Sequence, residues 1–316
     1  MKLKPFAQLF RAGVAARNAL YDCGLLRARR LRGPVVCVGN LSVGGSGKTP
    51  FVILLGELLR ARGVAFDVLT RGYGRRSRGI ALVEVEGSAR EFGDEPLLIA
   101  RRLQVPVIVG EDRFRAGLLA EQKFGPQLHL LDDGFQHRQL ARDFDVVLVS
   151  PEDARDSLLP AGRLREPVSS LARADAVVLA HEATTDGLTV QGKLVWRLRR
   201  GICPENVPRR PLAFCGIARP ERFYSQLRAS GIDLAGEASF RDHHSYGELD
   251  IARLLRLCEQ QGAGGFVTTE KDAINLGAAL ERLRPVAVVP VTMELADADA
   301  ALTAMLRVVE ERRRGL

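Results

Sequence analysis

The sequence predicts an α/β fold, a parallel sheet with helices on both faces, joined to a second, smaller α/β lobe. Three observations carry that reading. The candidate strands, such as VVCVGN at 35–40 and DVVLVS at 145–150, are continuous apolar runs, which suits strands buried on both faces. Helical stretches separate most of them, as βα units require. A glycine-rich turn at 44–47 joins the first strand to a helix.

The elements follow in order. Residues 5–26 predict a helix with Phe6, Leu9, Phe10, Gly13, Leu20 and Tyr21 on one face. Arg17 falls inside that face, so two readings stand: a helix packed on the domain with Arg17 paired, or one lying in a membrane interface with Arg17 reaching up to head groups. After Gly33-Pro34 come strand 35–40, a helix over 50–62, and strands 65–70 and 80–85. A helix over 95–102, strand 106–110, a helix over 112–123 and strands 128–131, 145–150 and 175–180 complete a first unit. The stretch 183–212 is less regular, contains CPENVPRRP and reads as a hinge. A second unit alternates strands 212–217, 237–240, 264–269 and 285–291 with helices near 219–230 and 247–261, before a last helix. The expected division is 1–33 as a basic helix, 34–182 as the first lobe, 183–212 as the hinge and 213–316 as a second lobe closing the cleft.

With 316 residues, 46% of them apolar, the chain can bury a sizeable core. Its net charge of +8 is unevenly placed: residues 1–34 hold Lys2, Lys4, Arg11, Arg17, Arg27, Arg29, Arg30 and Arg32 against the single acid Asp22. That asymmetry points to an anionic partner. The basic run has no interleaved aromatics and the chain has one tryptophan, Trp196, which argues against a nucleic-acid-binding NTPase. Cys23, Cys37, Cys203, Cys215 and Cys258 are odd in number and lack metal-ligand spacing, so a reducing compartment is expected, without disulfides or zinc. No apolar run reaches the length of a membrane span, and Arg11 and Arg17 interrupt what a signal peptide would need.

The strongest chemical signal is VGNLSVGGSGKTP at 38–50. Gly44, Gly45 and Gly47 let the backbone turn its N–H groups inward around phosphates. Lys48 can reach the β- and γ-phosphates, the Thr49 hydroxyl suits magnesium, and the following helix adds its positive end. The usual first glycine of such a phosphate-binding loop (P-loop) is Ser42 here. The loop needs a carboxylate at the end of a neighbouring strand, and LHLLDDGFQH supplies Asp132 and Asp133. The first lobe is thus expected to be P-loop NTPase-like. No Asn-Lys-x-Asp guanine signature is present, and Val43 stands where membrane-partitioning ATPases usually carry lysine. Both features favour an ATP-dependent kinase over a membrane-associated switch ATPase.

At this point eight ordered segments carry a resemblance: VGNLSVGGSGKTP, TRGYGR at 70–75, GDEP at 93–96, EDR at 111–113, DDGFQH at 132–137, LLPAGRLREP at 158–167, FRDHHSY at 240–246 and TTEKDA at 268–273. Together they resemble the tetraacyldisaccharide 4'-kinases of lipid A biosynthesis, a family in which Ser or Thr at position 42 is usual. The resemblance weakens over 181–212 and in the last helix. It implies transfer of the ATP γ-phosphate to the 4'-hydroxyl of a tetraacyl glucosamine disaccharide 1-phosphate, with Mg2+. It also implies a bacterial cytoplasmic enzyme, peripheral on the inner face of the inner membrane through its basic N-terminal helix. In that comparison Asp94 is the base and His243 its partner, with Lys48 and Arg113 beside the transferring group. Ser42, Val43, Gly44, Gly45, Ser46, Gly47, Lys48, Thr49 and Arg165 surround the nucleotide. Thr49, Asp132, Asp133 and Glu166 are implied at the metal, and Tyr73, Arg75 and Gln136 at the acceptor.

Overall fold

The structure is a computed structural model that describes residues 4–45 and 47–315. Helix α1 (Lys4–Asp22) leads to strand β1 (Val35–Asn40) and helix α2 (Lys48–Ala61). Strands β2 (Phe66–Thr70) and β3 (Ala81–Leu82), the short helix α3 (Ala89–Phe92), helix α4 (Asp94–Leu103) and strand β4 (Val107–Val109) follow. Helix α5 (Arg113–Phe124) precedes strands β5 (Leu128–Asp132), β6 (Phe144–Leu148), β7 (Ala176–Ala180) and β8 (Leu194–Ile202). The second unit runs β9 (Leu212–Cys215), α6 (Pro220–Ala229), β10 (Gly236–Ser239), α7 (Glu248–Gln260), β11 (Phe266–Thr269), α8 (Glu270–Leu276) and β12 (Val286–Val289). Strand β13 (Val291–Leu295) and helix α9 (Ala298–Arg314) come last.

Nine strands form the large sheet in the order β13-β8-β7-β6-β1-β5-β2-β4-β3. Only its edge pairs are antiparallel, β13 with β8 and β3 with β4. Central β1 is buried along its length, so its alternate side chains serve two cores. Val36 and Val38 pack with residues of α2, α4 and α9, whereas Val35 and Cys37 pack with Ala116 and Ala120 of α5. A parallel four-stranded sheet, β10-β9-β11-β12, makes the second lobe.

Two elements depart from the sequence-based expectation. Inside the expected hinge lies β8, a nine-residue strand of the large sheet paired with both β7 and β13. Its inward residues Leu194, Trp196 and Leu198 alternate with Val195, Arg197 and Arg199, the period of a strand with one wet face rather than a continuous apolar run. The run expected as one strand over 285–291 divides at Pro290, which has no N–H to continue a ladder. Strand β12 stays in the small sheet, while β13 and α9 return to the large one. There α9 buries Leu302, Met305 and Val309, and its Arg312 and Arg313 reach Asp175 and Asp143. The second-lobe sheet therefore closes at Val289, short of the expected boundary at 316.

Helix α1 ends at Asp22, four residues before the expected end, ahead of Gly24 at φ 76°. Its base is docked by polar contacts. Arg17 Nη2 and Asn18 Nδ2 donate to Glu166 at 3.3 and 3.0 Å, and Arg138 holds both the Asn18 carbonyl and Asp22. Arg17 therefore does not reach up to head groups. Toward its start the same face runs past the docked residues, leaving Phe6 62% and Leu9 73% exposed. Among the described residues no helix is long and apolar enough to cross a membrane, and the five cysteines are free.

Trp196 anchors β8 in the sheet: it is buried, stacked at 6.1 Å on Phe144 and 6.5 Å from Phe51 of α2. Trp196→Ala should cost about 3–5 kcal/mol, the range for deleting a buried aromatic side chain. Denaturant unfolding followed by far-UV circular dichroism measures it.

Candidate active site

The glycine-rich loop leaves the end of β1 and closes where α2 begins. Gly44 and Gly47 take φ values of 90° and 81°, the left-handed region that glycine enters without strain. The loop's first half is pinned from one side: Val43 N donates to the Arg163 carbonyl at 2.8 Å, and Arg165 N to the Leu41 carbonyl at 2.7 Å. Asn40 Nδ2 holds the Ser42 carbonyl at 2.7 Å from within. Ser46 lies outside the described residues. Lys48 extends back over the loop to Asn40 Oδ1 at 3.0 Å and Asp133 Oδ1 at 3.5 Å, and Thr49 is buried beside it.

The two adjacent acids have different surroundings. Asp132 ends β5 and is buried; its Oδ2 accepts from the Thr70 hydroxyl at 2.8 Å, while Oδ1 has no hydrogen-bond partner. Burial, then the nearby Glu95 and Asp133 carboxylates, push its pKa up to about 7. A buried carboxylate with an open oxygen and no ion pair among the described residues fits a small divalent ion. Thr49 and Asp132 are the groups suited to hold one, since magnesium takes its remaining ligands from water and phosphates. Asp133 takes a left-handed backbone and faces the cations instead. Arg165 donates to both its oxygens at 3.1 and 2.8 Å. Burial opposes the charge there, but Lys48 and Arg165 outweigh it and hold the carboxyl well below its ordinary range.

Asp94 is the first residue of α4, and His243 sits in the second lobe with φ 57°. They meet across the lobes: His243 Nδ1 lies 3.0 and 2.9 Å from the two Asp94 oxygens. Asn275 Nδ2 donates to Asp94 Oδ2 at 3.0 Å, and the Glu95 N–H to Oδ1 at 2.9 Å. Lys271 Nζ stands 3.2 Å from His243 Nε2 and 3.8 Å from Asp94 Oδ2. Tyr73 packs on the His243 ring at 5.4 Å between centroids.

A cleft of 670 Å³ between the lobes is lined by the loop, Asp132, Asp133, Arg165, Tyr73 and His243. Asp94 opens on the far side of Tyr73 and His243, toward a second cavity of 800 Å³. The remaining implied residues surround the cleft without lining it. Arg113 is buried, donates to the Glu111 carbonyl at 2.8 Å and lies near Asp132, Asp133 and Arg71. Gln136 donates to the Asn40 carbonyl at 3.0 Å. Arg75 bonds the Gly79 carbonyl within its own turn. Glu166 faces α1 rather than the cleft: its oxygens accept from Arg17, Asn18 and Arg173, the last at 2.7 Å, so the structure does not bring it to Thr49 and Asp132. Asn40, Lys271 and Asn275 were not singled out by sequence reasoning. Asn40 ends the first strand and Lys271 lies in TTEKDA, so position relative to the loop and to a segment of resemblance was the available signal.

The pair sets a pH dependence of stability. Burial would raise the Asp94 carboxyl, but the His243 hydrogen bond and Lys271 hold it lower than usual. Burial would lower His243, but Asp94 raises it. A raised folded-state pKa contributes stability that is complete below the unfolded value, about 6.5, and is lost as pH rises through the folded one. The difference in unfolding free energy between the intact chain and His243→Asn should therefore be largest at about pH 6 and shrink toward pH 9. Urea titrations across that range provide the measurement, and a pH-independent difference would remove the ion pair.

Comparison with known proteins shows the family. A model of the Tetraacyldisaccharide-1-P 4'-kinase family matches residues 1–310. The chain is 53% identical over 320 residues to the tetraacyldisaccharide 4'-kinase of Koribacter versatilis, covering 98% of this chain and 99% of that one. It is 40% identical over 319 residues to the enzyme of the same name from Geobacter metallireducens, with 94% of each chain covered. Its fold matches the crystal structure of LpxK from Aquifex aeolicus in complex with ATP at a TM-score of 0.82 and 36% identity, covering 97% of this chain and 98% of that one. The first lobe is P-loop NTPase-like, and the chain belongs to the tetraacyldisaccharide 4'-kinase family.

Proposed function

We propose that the chain transfers the γ-phosphoryl group of ATP to the 4'-hydroxyl of a tetraacyl glucosamine disaccharide 1-phosphate, giving the 4'-phosphorylated lipid A precursor. The observation that carries this reading is that a phosphate-binding loop and His243 line one cleft, and that His243 is held from behind by the Asp94 carboxylate across the lobes. A loop alone serves switches and motors; a base beside it suits transfer to an alcohol.

Phosphoryl transfer passes through a loose transition state, so catalysis is mainly positioning and charge stabilisation. The loop N–H groups and Lys48 would hold the phosphates, with Arg165 and Arg113 adding positive charge around them. Nucleotide binding would draw Lys48 off Asp133, which stays neutralised by Arg165. Thr49 and Asp132 would hold a magnesium ion, which supplies further charge neutralisation at the phosphate oxygens. Asp94 would accept the hydroxyl proton as the new P–O bond forms, with His243 orienting its carboxylate. Tyr73, exposed beside His243, would contact the sugar. Closure of the second lobe would exclude water and limit idle hydrolysis.

Labelled ATP with magnesium and the disaccharide in mixed micelles tests the reaction directly. ADP formation should depend on the acceptor; acceptor-independent turnover would favour a switch ATPase. Lys48→Ala should lower kcat by about 10²-fold or more, the scale of one lost electrostatic donor. Asp94→Ala and His243→Ala should each lower kcat strongly, and the double variant should be little worse than the poorer single one. Losses that multiply would show separate roles.

The overhanging tip of α1 supports a membrane-facing position on an anionic inner leaflet. The docked base keeps the helix on the lobe, while Leu9 and Phe6 lie about 12 and about 16 Å beyond Arg17 at 1.5 Å per residue. Each nearby Lys or Arg adds about 1 kcal/mol at an anionic surface. Phe6→Asp with Leu9→Asp should release the protein from anionic vesicles without changing its melting temperature. Sedimentation equal to that of the intact chain would make the helix purely structural.

A further inference from the structure

The cleft holds more positive charge than its own acids neutralise. Lys48 and Arg165 are countered by Asp133, Arg102 by Glu57 and Glu270, and Lys271 by Asp94, Glu95 and Asp242. Arg71, near Arg113, has no acid within 4.0 Å among the described residues, and neither do Arg200 and Arg222; Arg219 reaches Glu152 only at 4.0 Å. These last three arginines line one wall, facing the phosphate loop. Arg200 comes from β8, beside Met293 of β13, and a Cβ placed on Gly47 would meet Arg200 Nη1 at 3.7 Å. Arg219 and Arg222 come from the start of α6 in the second lobe, where Ala218 Cβ would stand 3.3 Å from a Cβ on Gly45.

The Arg200 side chain has no hydrogen bond among the described residues, and its Nε is buried without a partner. Burial and the neighbouring Arg222 and Arg219 bring its pKa down to about 10. A half-buried guanidinium facing two others is unfavourable in itself, because desolvation and repulsion add. An anion between them reverses both effects. The guanidinium fork matches phosphate oxygens in a bidentate geometry that a lysine cannot copy.

We propose that Arg200, Arg219 and Arg222 form a second phosphate-holding wall, which grips the phosphate chain of ATP from the side the glycine-rich loop leaves open. Beside them Ile202, Phe223 and Met293 give an apolar surface for the base. Because the wall is shared by the large sheet and the second lobe, a di- or triphosphate ties the two together and a monophosphate does so less. These are positioning residues for the nucleotide, and the inference rests on the ATP-dependent reading above.

The test is equilibrium binding of ATP, ADP and AMP with magnesium to the full chain, its Arg200→Gln and Arg222→Gln variants, and Arg200→Lys. Each glutamine variant should weaken ATP by about 10- to 100-fold, the scale of a lost charged hydrogen bond, and AMP far less. Arg200→Lys should recover part of the loss, and the salt dependence of ATP binding should flatten. In turnover, the KM for ATP should rise while the KM for the acceptor holds. An unchanged ATP-to-AMP affinity ratio in both glutamine variants would overturn the wall. If Arg200→Gln fails to fold, the exposed Arg222→Gln decides alone. Absence of acceptor phosphorylation in the intact chain would sink the kinase reading while leaving this ratio measurable.

Discussion

The negative charge of Asp133 ties together the glycine-rich loop, the 158–167 segment and the end of β1. Lys48 from α2, Arg165 from the 158–167 segment and, through Lys48 and Arg165, Asn40 at the end of β1 all converge on it. Without that carboxylate, Lys48 and Arg165 would face each other beside the glycine-rich loop. With it, both side chains are held in place next to Asn40. The neighbouring Asp132 does the opposite. It is kept from ionising readily by burial and by its neighbours, and so suits a cation.

The second convergence crosses the lobes. Lysine can only donate, so the Lys271 contact to His243 Nε2 is a hydrogen bond in the neutral imidazole with its proton on Nδ1. Protonation keeps the Nδ1 bond to Asp94, which favours the charged ring, and sets that ring against Lys271, which disfavours it. Asn275 and the Glu95 N–H occupy further lone pairs of the same carboxylate. A carboxylate held by that many donors is well oriented and weakly basic, which suits a late proton transfer better than early abstraction.

Glu166 links these centres to α1. Its neighbour Arg165 faces the loop, while Glu166 itself faces the helix and takes donors from Arg17, Asn18 and Arg173. Two adjacent side chains of one loop segment thus connect the docked base of α1 with the partners of Asp133. The apolar tip is left free of the lobe by the same arrangement.

The parallel sheet, the loop and the acids at the end of β5 were legible in the chain's residue pattern, because each is a local pattern. Continuous apolar runs mark doubly buried strands, and glycines mark a backbone that must turn around an anion. That pattern located β1, β5 and β7 to within a residue or two. Strand β8 was harder to read, since its Arg197 and Arg199 belong to a wet face and break the apolar run. The return of the chain from the second lobe at Pro290, which adds β13 and α9 to the first, is visible only in the folded molecule. The folded molecule alone showed Arg17 paired with Glu166, and it alone set Arg200 against the loop. Those outcomes depend on pairing and counter-charge between residues far apart in the chain, and no local periodicity records where a charge finds its partner.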